Sequence, residues 1–218
     1  MRVLAHIISW IFLPLFMPIY ALLLTMFIPS VEQSFFQEDT LFWMNPNYKF
    51  AVLSIFIIFS FFAPGVTLLL LKRSKAITTI EIDDVKERAI PIAITAIYCL
   101  ILALFLIIKA PNYILPFSIY AFPWGGFIGI TIAGFINKYD KISLHSIGVG
   151  MLLGFLITYF YFQVEYYFEI IIFAVIISGL VMSARLILKK HTPRQVFVGF
   201  LLGFLSVFTS LMIFNSLK

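Results

Sequence analysis

Seven long apolar runs restrict the fold of this chain more than any other feature of its sequence. They cover residues 3–28, 50–71, 90–108, 114–136, 144–161, 166–188 and 195–214. Each has about the length, roughly 17–25 residues, that an α-helix needs to cross the hydrocarbon layer of a bilayer. Because backbone polar groups inside a bilayer must be paired within the protein, such runs fold as helices. The sequence therefore predicts an all-α fold, a polytopic integral membrane helical bundle of six to seven transmembrane spans.

The composition excludes an ordinary soluble domain. Hydrophobic residues make up 62% of the 218 residues and charged residues 11%, whereas a soluble domain is about half apolar. The stretches between the runs are too short for a soluble domain, so we expect one transmembrane domain over residues 1–218. The single cysteine, Cys99, lies inside an apolar run and permits no intrachain disulfide.

Two of the runs contain two prolines each. Pro14 and Pro18 lie in the first run, and Pro116 and Pro123 lie in the fourth. Because proline has no N–H and its ring clashes with the preceding turn, we expect all four to kink the corresponding helices.

The basic residues divide unequally between the two sides of the predicted bundle. With seven spans, one side receives the N-terminus and residues 72–88, 137–143 and 185–194. This side holds twelve of the 15 lysines and arginines, and the other side holds three. Basic residues are enriched in cytoplasmic loops, so the net charge of +5 indicates orientation rather than nucleic-acid binding. We expect an integral protein of the bacterial inner (cytoplasmic) membrane whose polar site faces the cytoplasm.

Three connections on that side carry polar residues with a specific chemistry. They are residues 83–91, 137–145 and 183–195. His145 falls in the first turn of the fifth span, after Ser143 as a predicted N-cap. His191 directly precedes Thr192-Pro193, an N-cap followed by proline at the first helical position. Two helix N-termini, which attract anions, are thus predicted to point at the same region as two histidines.

The cations around these histidines favour phosphate as the ligand. They are Arg88, Lys138, Lys141, Arg185 and Arg194. Arginine contacts phosphate oxygens bidentately, and histidines can act as nucleophile and as acid or base. Taken singly, each residue has an ordinary explanation, such as a helix-capping histidine or an arginine that extends to the headgroups. Their position on one side of the bundle predicts an anion site, and the sequence leaves open whether residues 72–88 cover it.

Two of these motifs resemble those of a known family, the type 2 phosphatidic acid phosphatase superfamily of membrane lipid phosphatases. Arg185 and His191, with Ser183 before them, are similar to its third motif. Ser143-Leu144-His145 is similar to its second motif. The resemblance implies an antiparallel transmembrane helical core, which we assign to residues 111–218, preceded by N-terminal spans in residues 1–110.

The resemblance also implies a role for each site residue. His191 would attack phosphorus and form a phosphohistidine, His145 would protonate the leaving alcohol, and Arg185 would hold phosphate oxygens. Gln195 stands where the family has an aspartate that orients the nucleophile, and would do so through its amide oxygen. The family's first motif has no match, and no metal or cofactor is implied. The other predicted substrate-binding residues are Arg88, Lys138, Lys141, Ser143 and Arg194.

Three functional hypotheses follow. The first is a divergent phosphatase-like enzyme that acts on a lipid phosphate or lipid pyrophosphate at the cytoplasmic membrane face. The alternative is a non-catalytic membrane subunit or lipid- and anion-binding module on the same scaffold, with a membrane protein as partner. The third is a prenyltransferase-like enzyme, in which Asp83-Asp84 and Arg88 would form an acidic diphosphate motif. Membrane lipid is the expected partner, and nucleic acid is not.

Overall fold

The structure is a computed structural model, and it describes residues 1–29, 40–82, 84–110, 115–164 and 167–217. Seven of its helical segments are long and apolar enough to cross a membrane, which confirms the predicted all-α bundle of seven spans. The α-helices are α1 (Arg2–Ile11), α2 (Met17–Met26), α3 (Pro46–Ile57), α4 (Ala63–Arg73), α5 (Ala89–Lys109), α6 (Phe117–Ile136), α7 (Leu144–Tyr161), α8 (Phe168–Ile187) and α9 (Pro193–Ser216).

The first span is divided by a short irregular segment. Helix α1 ends at Ile11, Leu13 is extended, and a 3₁₀ turn over Pro14–Phe16 leads into α2. Proline disfavours the helical conformation of the residue before it, which explains why the break falls at Leu13. Pro18 lies near the start of α2, where its missing N–H costs nothing. The interruption predicted at Pro14 is therefore confirmed, whereas Pro18 helps to restart the helix.

The second span contains a wider turn in its middle. A π-helical segment, Ile58–Phe62, joins α3 to α4. Pro64 follows it and lacks the N–H that an α-helix would direct at the Ser60 carbonyl. The Ser60 hydroxyl donates to the Phe56 carbonyl at 2.6 Å, so the wider turn keeps an acceptor of the helical ladder paired. Single π turns of this kind are frequent at functional sites.

The fourth span differs from its prediction at one proline. Pro116 is the residue before α6 and takes an extended conformation, so it begins the helix rather than kinking it. Pro123 lies inside α6, which runs from Phe117 to Ile136. The expected kink at Pro116 is wrong because the apolar run begins before the first residue of the helix, so Pro116 lies outside α6.

Helix α7 forms the centre of the bundle. In its most apolar segment 78% of the residues are buried, against 22% in each of the first two spans. It packs chiefly on α9, and the two helices approach closely because small residues lie between them. A side chain at Gly203 would overlap the Ile147 carbonyl, and one at Gly150 would overlap the Phe200 carbonyl. This close approach fixes the N-termini of α7 and α9 relative to each other.

Candidate functional site

A cavity of about 170 Å³ lies between the ends of several spans, and we call it the cationic cavity. Its polar lining residues are Ser9, Glu81, Arg88, His145, Arg185 and His191. The two arginines and two histidines come from four separate elements, and the sequence predicted all four for the site. The structure therefore brings together residues that are far apart in the chain, such as Arg88 and His191, which are 103 positions apart.

Arg185 is held inside the bundle. It lies in the last turn of α8, is 3% exposed, and donates from Nη1 to the Ser9 hydroxyl at 3.3 Å. This burial excludes the ordinary explanation that Arg185 extends to lipid headgroups. A buried guanidinium is costly without an anion or hydrogen-bond acceptors around it, so Arg185 is well suited to bind an anion that enters the cavity.

Arg88 reaches the cavity from a 3₁₀ turn over Lys86–Arg88. It is 4% exposed, and it donates from Nε to the Ile82 carbonyl at 2.8 Å and from Nη1 to the Ile142 carbonyl at 3.0 Å. Ile82 has φ 49°, a left-handed conformation that is rare for a β-branched residue. The Ile82 carbonyl that accepts from Arg88 thus belongs to a residue with a strained backbone. Through its two hydrogen bonds, Arg88 connects the segment before α5 to the start of α7.

The connection between α4 and α5 covers the cavity. Ile80, Glu81 and Ile82 line it, and the Glu81 carboxylate pairs with the Lys190 ammonium at 3.1 Å. This ion pair links the connection to the chain between α8 and α9. Residues on both sides of Asp83 therefore fold over the site. Asp83 itself, on which the prenyltransferase hypothesis depends, lies outside the described residues.

Helix α8 ends in a turn that presents His191. The Lys190 N–H donates to the Arg185 carbonyl at 3.1 Å and the Lys189 N–H donates to the Leu186 carbonyl at 2.9 Å. With Lys189 at φ 54°, this is a Schellman motif that reverses the chain within two residues. Helix α9 then begins at once, with Thr192 as its N-cap. The predicted N-cap at Thr192 is confirmed, and His191 is fixed between two helix ends.

His191 is oriented by a backbone carbonyl. Its Nδ1 lies 3.1 Å from the Lys141 carbonyl oxygen, which can only accept, so Nδ1 carries the hydrogen and Nε2 has the lone pair. Burial, followed by the positive charges of Arg88 and Arg185, lowers the pKa of His191 to about 4. The imidazole is therefore neutral at pH 7, which is the form in which it can act as a nucleophile.

In the described part of the chain, Gln195 forms no hydrogen bond with His191. Its Oε1 accepts from the Thr192 N–H at 3.0 Å, and its Nε2 donates to the Asp140 carboxylate at 2.6 Å. Thr192 and Gln195 form a capping box, which turns the Gln195 side chain back toward the start of α9. The predicted role of Gln195 is therefore wrong in this structure: the acceptor beside His191 Nδ1 is the Lys141 carbonyl oxygen and not the Gln195 amide oxygen. The Thr-x-x-Gln spacing is itself the sequence signal for a capping box.

His145 is held by the first span. It lies in the first turn of α7, and its Nε2 is 3.2 Å from the Ser9 carbonyl oxygen, so Nε2 carries the hydrogen. Ser143 caps α7 as predicted, with its hydroxyl accepting from the Ser146 N–H at 3.3 Å. Ser143 therefore serves the helix terminus rather than the cavity. Ser9 contacts both His145 and Arg185, but it lies 136 residues before His145, and nothing in the sequence pairs them.

Three predicted cations lie away from the cavity lining. The Lys138 ammonium sits 5.3 Å from the centre of the Phe135 ring, and Lys138 is exposed. Arg194 is also exposed and lies 3.8 Å from the Asp140 carboxylate. Lys141 contributes its backbone carbonyl to His191. The cationic character of the cavity thus comes from Arg88 and Arg185 alone among the predicted lysines and arginines.

The cavity favours an anion. Two buried guanidinium groups face a lining in which the Glu81 carboxylate is already paired with the Lys190 ammonium.

Comparisons with protein-family models, with curated proteins and with solved structures found no match.

Proposed function

We propose that this protein binds the phosphate or pyrophosphate group of a membrane lipid in the cationic cavity and hydrolyses it with His191 as the nucleophile. The observation that carries the proposal is the convergence of Arg88, Arg185, His145 and His191 on one cavity. This set is what the resemblance to the type 2 phosphatidic acid phosphatases implies, with Arg88 in the role of the missing first motif. The bonding of His191 supports the assignment, because Nδ1 is engaged and Nε2 has a lone pair.

The reaction has two steps. The His191 Nε2 lone pair attacks phosphorus, the bond from phosphorus to the leaving oxygen breaks, and a protonated His145 gives to that oxygen the proton on Nδ1, the ring nitrogen that is not bonded to Ser9. Water then attacks the phosphohistidine while His145 Nδ1 takes a proton from it, which releases inorganic phosphate and regenerates His191 and the protonated His145. With a lipid pyrophosphate, the group that leaves in the first step is the lipid monophosphate. Arg88 and Arg185 stabilise the charge on the transferred phosphoryl group throughout.

A second function is favoured by one observation. The acceptor for His191 Nδ1 is a neutral carbonyl, and Gln195 supplies no carboxylate in its place. The positive charge that develops on His191 during attack is therefore stabilised less than it would be by an aspartate. The same cavity would then serve a non-catalytic membrane subunit or lipid-phosphate-binding module, which holds its ligand without turning it over.

Phosphate release from a panel of lipid phosphates and lipid pyrophosphates, without added metal, distinguishes the two functions. We expect release by the wild type, none above background by His191→Ala, and unchanged release by His6→Ala. His6 is the matched control because it is exposed on the first span. Absence of His191-dependent release from every lipid would refute hydrolysis, and lipid-phosphate binding that is lost in Arg185→Gln would then support the binding module.

We further propose that the protein resides in the bacterial inner membrane with the cationic cavity toward the cytoplasm. The unequal distribution of basic residues supports this orientation. In a Cys99→Ala background, Thr79→Cys should resist an impermeant thiol reagent in intact cells, and Asn47→Cys should react. Both positions are exposed, and they lie at opposite ends of the second span. Labelling of Thr79→Cys but not of Asn47→Cys would reverse the orientation.

A further inference from the structure

A second cavity, of about 80 Å³, adjoins the cationic cavity and extends into the bundle. We call it the apolar cavity. Five residues line both cavities, namely Pro14, Leu15, Thr95, Ile130 and Leu144. We infer that the apolar cavity binds one hydrocarbon chain of the lipid whose phosphate group occupies the cationic cavity. This inference rests on the proposed function, and it specifies the substrate as a single-chain amphiphile.

The walls of the apolar cavity consist mostly of apolar side chains. Its polar side chains are already bonded. Ser60 and Thr95 each donate to the carbonyl four residues earlier, at 2.6 and 2.8 Å, and the Tyr98 hydroxyl lies 2.8 Å from that of Thr67. Cys99 behaves as a small hydrophobic group, and the other lining residues are apolar or glycine. Because a cavity with no polar partner to offer does not retain water, the space suits an apolar chain.

The irregular segments of the fold create this space. Pro14 and Pro18, at the break in the first span, line the cavity, as do Phe59 and Ser60 of the π turn. On the opposite wall Gly126 faces α5, and a Cβ atom there would meet the Cys99 sulfur at 3.3 Å. Three departures from a regular, fully packed helix therefore meet at one place. Regular helices with larger side chains at these positions would pack the space closed.

The two cavities together match the dimensions of a lipid chain. Arg88 stands at the cationic end of α5, and Cys99 lines the apolar cavity eleven positions further along. At 1.5 Å per residue this separation is roughly 16 Å, about half of the hydrocarbon thickness of roughly 30 Å. The apolar cavity alone holds about 80 Å³, which suits one hydrocarbon chain rather than two side by side. The ligand is thus a phosphorylated alkyl or isoprenyl chain.

Binding of non-hydrolysable phosphonates of increasing chain length tests the inference directly. We expect the wild type to bind tetradecylphosphonate at least about tenfold more tightly than hexylphosphonate, because each additional buried CH₂ favours binding. Cys99→Phe should remove most of this gain and leave hexylphosphonate binding unchanged. The matched control is Ile97→Phe, since Ile97 lies on the same helix and is exposed. Farnesylphosphonate, compared with dodecylphosphonate, distinguishes an isoprenyl from an alkyl ligand.

Several outcomes decide the inference. Retained hexylphosphonate binding shows that Cys99→Phe is folded, and Gly126→Val provides a second variant that narrows the cavity from α6. Chain-independent binding, or an equal loss in Cys99→Phe and Ile97→Phe, would overturn the chain site. The single-chain site would also be overturned if phosphatidic acid, which has two chains, competed for binding as well as tetradecylphosphonate does and lost affinity to the same extent in Cys99→Phe. If binding depends on the length of the hydrocarbon chain but no phosphate is released, hydrolysis is refuted and the chain site is not. If phosphate is released but binding does not depend on chain length, the chain site is refuted and hydrolysis is not.

Discussion

The first two spans and the last three are built in different ways. Each of the first two consists of two α-helices joined by an irregular segment, whereas α7, α8 and α9 run without interruption. The uninterrupted helices carry His145 and Arg185 and flank His191. The interrupted spans supply Ser9 and walls of both cavities. The difference teaches that His145, Arg185 and His191 are placed by the uninterrupted helices, which we call the rigid region, whereas the interrupted spans shape the two cavities beside them.

Glycine substitutions should affect the two regions unequally, and this is the largest effect that we expect. Gly203→Leu places a side chain on the Ile147 carbonyl at the closest contact of α7 and α9 and should prevent folding. Gly65→Leu, in α4, meets nothing within 4 Å and should fold normally. Size-exclusion chromatography in detergent measures both. Equal losses of folded protein would show that the two regions are packed alike.

Arginine substitutions test whether the rigid region carries the chemistry. Arg185→Gln should lower kcat/KM for a lipid phosphate by about 10²–10³, the usual cost of removing one preorganised donor in a transition state. Arg194→Gln, at an arginine that is exposed to solvent beside Asp140, should change kcat/KM by less than about twofold. A larger effect of Arg194→Gln would move the site from the cavity to the surface around Asp140.

The stability of the rigid region should depend on pH through His191. The pKa of His191 is about 4 in the folded protein and 6.5 as its ordinary value, so between these values the unfolded chain takes up a proton that the folded protein does not. The free energy of unfolding should therefore fall as the pH is lowered from 6.5 to about 4. Melting temperatures across this window should show a smaller decrease in His191→Asn than in His6→Asn. An identical decrease would contradict the shifted pKa of His191.

The smallest effect should be the same in both regions. Lys75 after α4 and Lys189 after α8 both have positive φ, 61° and 54°, in the left-handed position of a Schellman motif. Replacing either lysine by glycine relieves a conformational cost of roughly 1 kcal/mol and should raise the melting temperature slightly. Phosphate release by Lys189→Gly should stay at the wild-type level. A lower melting temperature in either variant would show that its lysine side chain stabilises the turn by more than the strain.

The parts of the fold that depend on local sequence could be predicted. Apolar runs identified the seven spans, and Ser143 and Thr192 marked the starts of α7 and α9, because capping requires only a suitable side chain beside a helix end. That Arg185, His145 and His191 lie together could be anticipated because their motifs are short and fall at helix ends on one side of the bundle. The helix start at Pro116 was missed because hydropathy does not register where a helix begins within an apolar run.

Contacts between distant segments could not be predicted in the same way. Ser9 meets His145 and Arg185 only through the packing of α1, and a serine in an apolar run has no pattern that names its partner. Gln195 was assigned to His191 by its spacing, but the local capping box competes for the same side chain and determines its direction. The cover formed by Ile80 and Glu81 depends on an ion pair with Lys190, which spacing alone does not reveal.

The carbonyl that orients His191 has a consequence for genetics. Every amino acid at position 141 provides the same carbonyl oxygen, so no ordinary substitution of Lys141 deletes the acceptor. A saturation-mutagenesis screen for activity would accordingly tolerate position 141 and report instead on Asp140, whose carboxylate bonds to Gln195 and whose own carbonyl accepts from the Ile142 N–H. Selection at this site would act on the shape of a turn, because the proposed nucleophile keeps its backbone acceptor whichever residue occupies position 141.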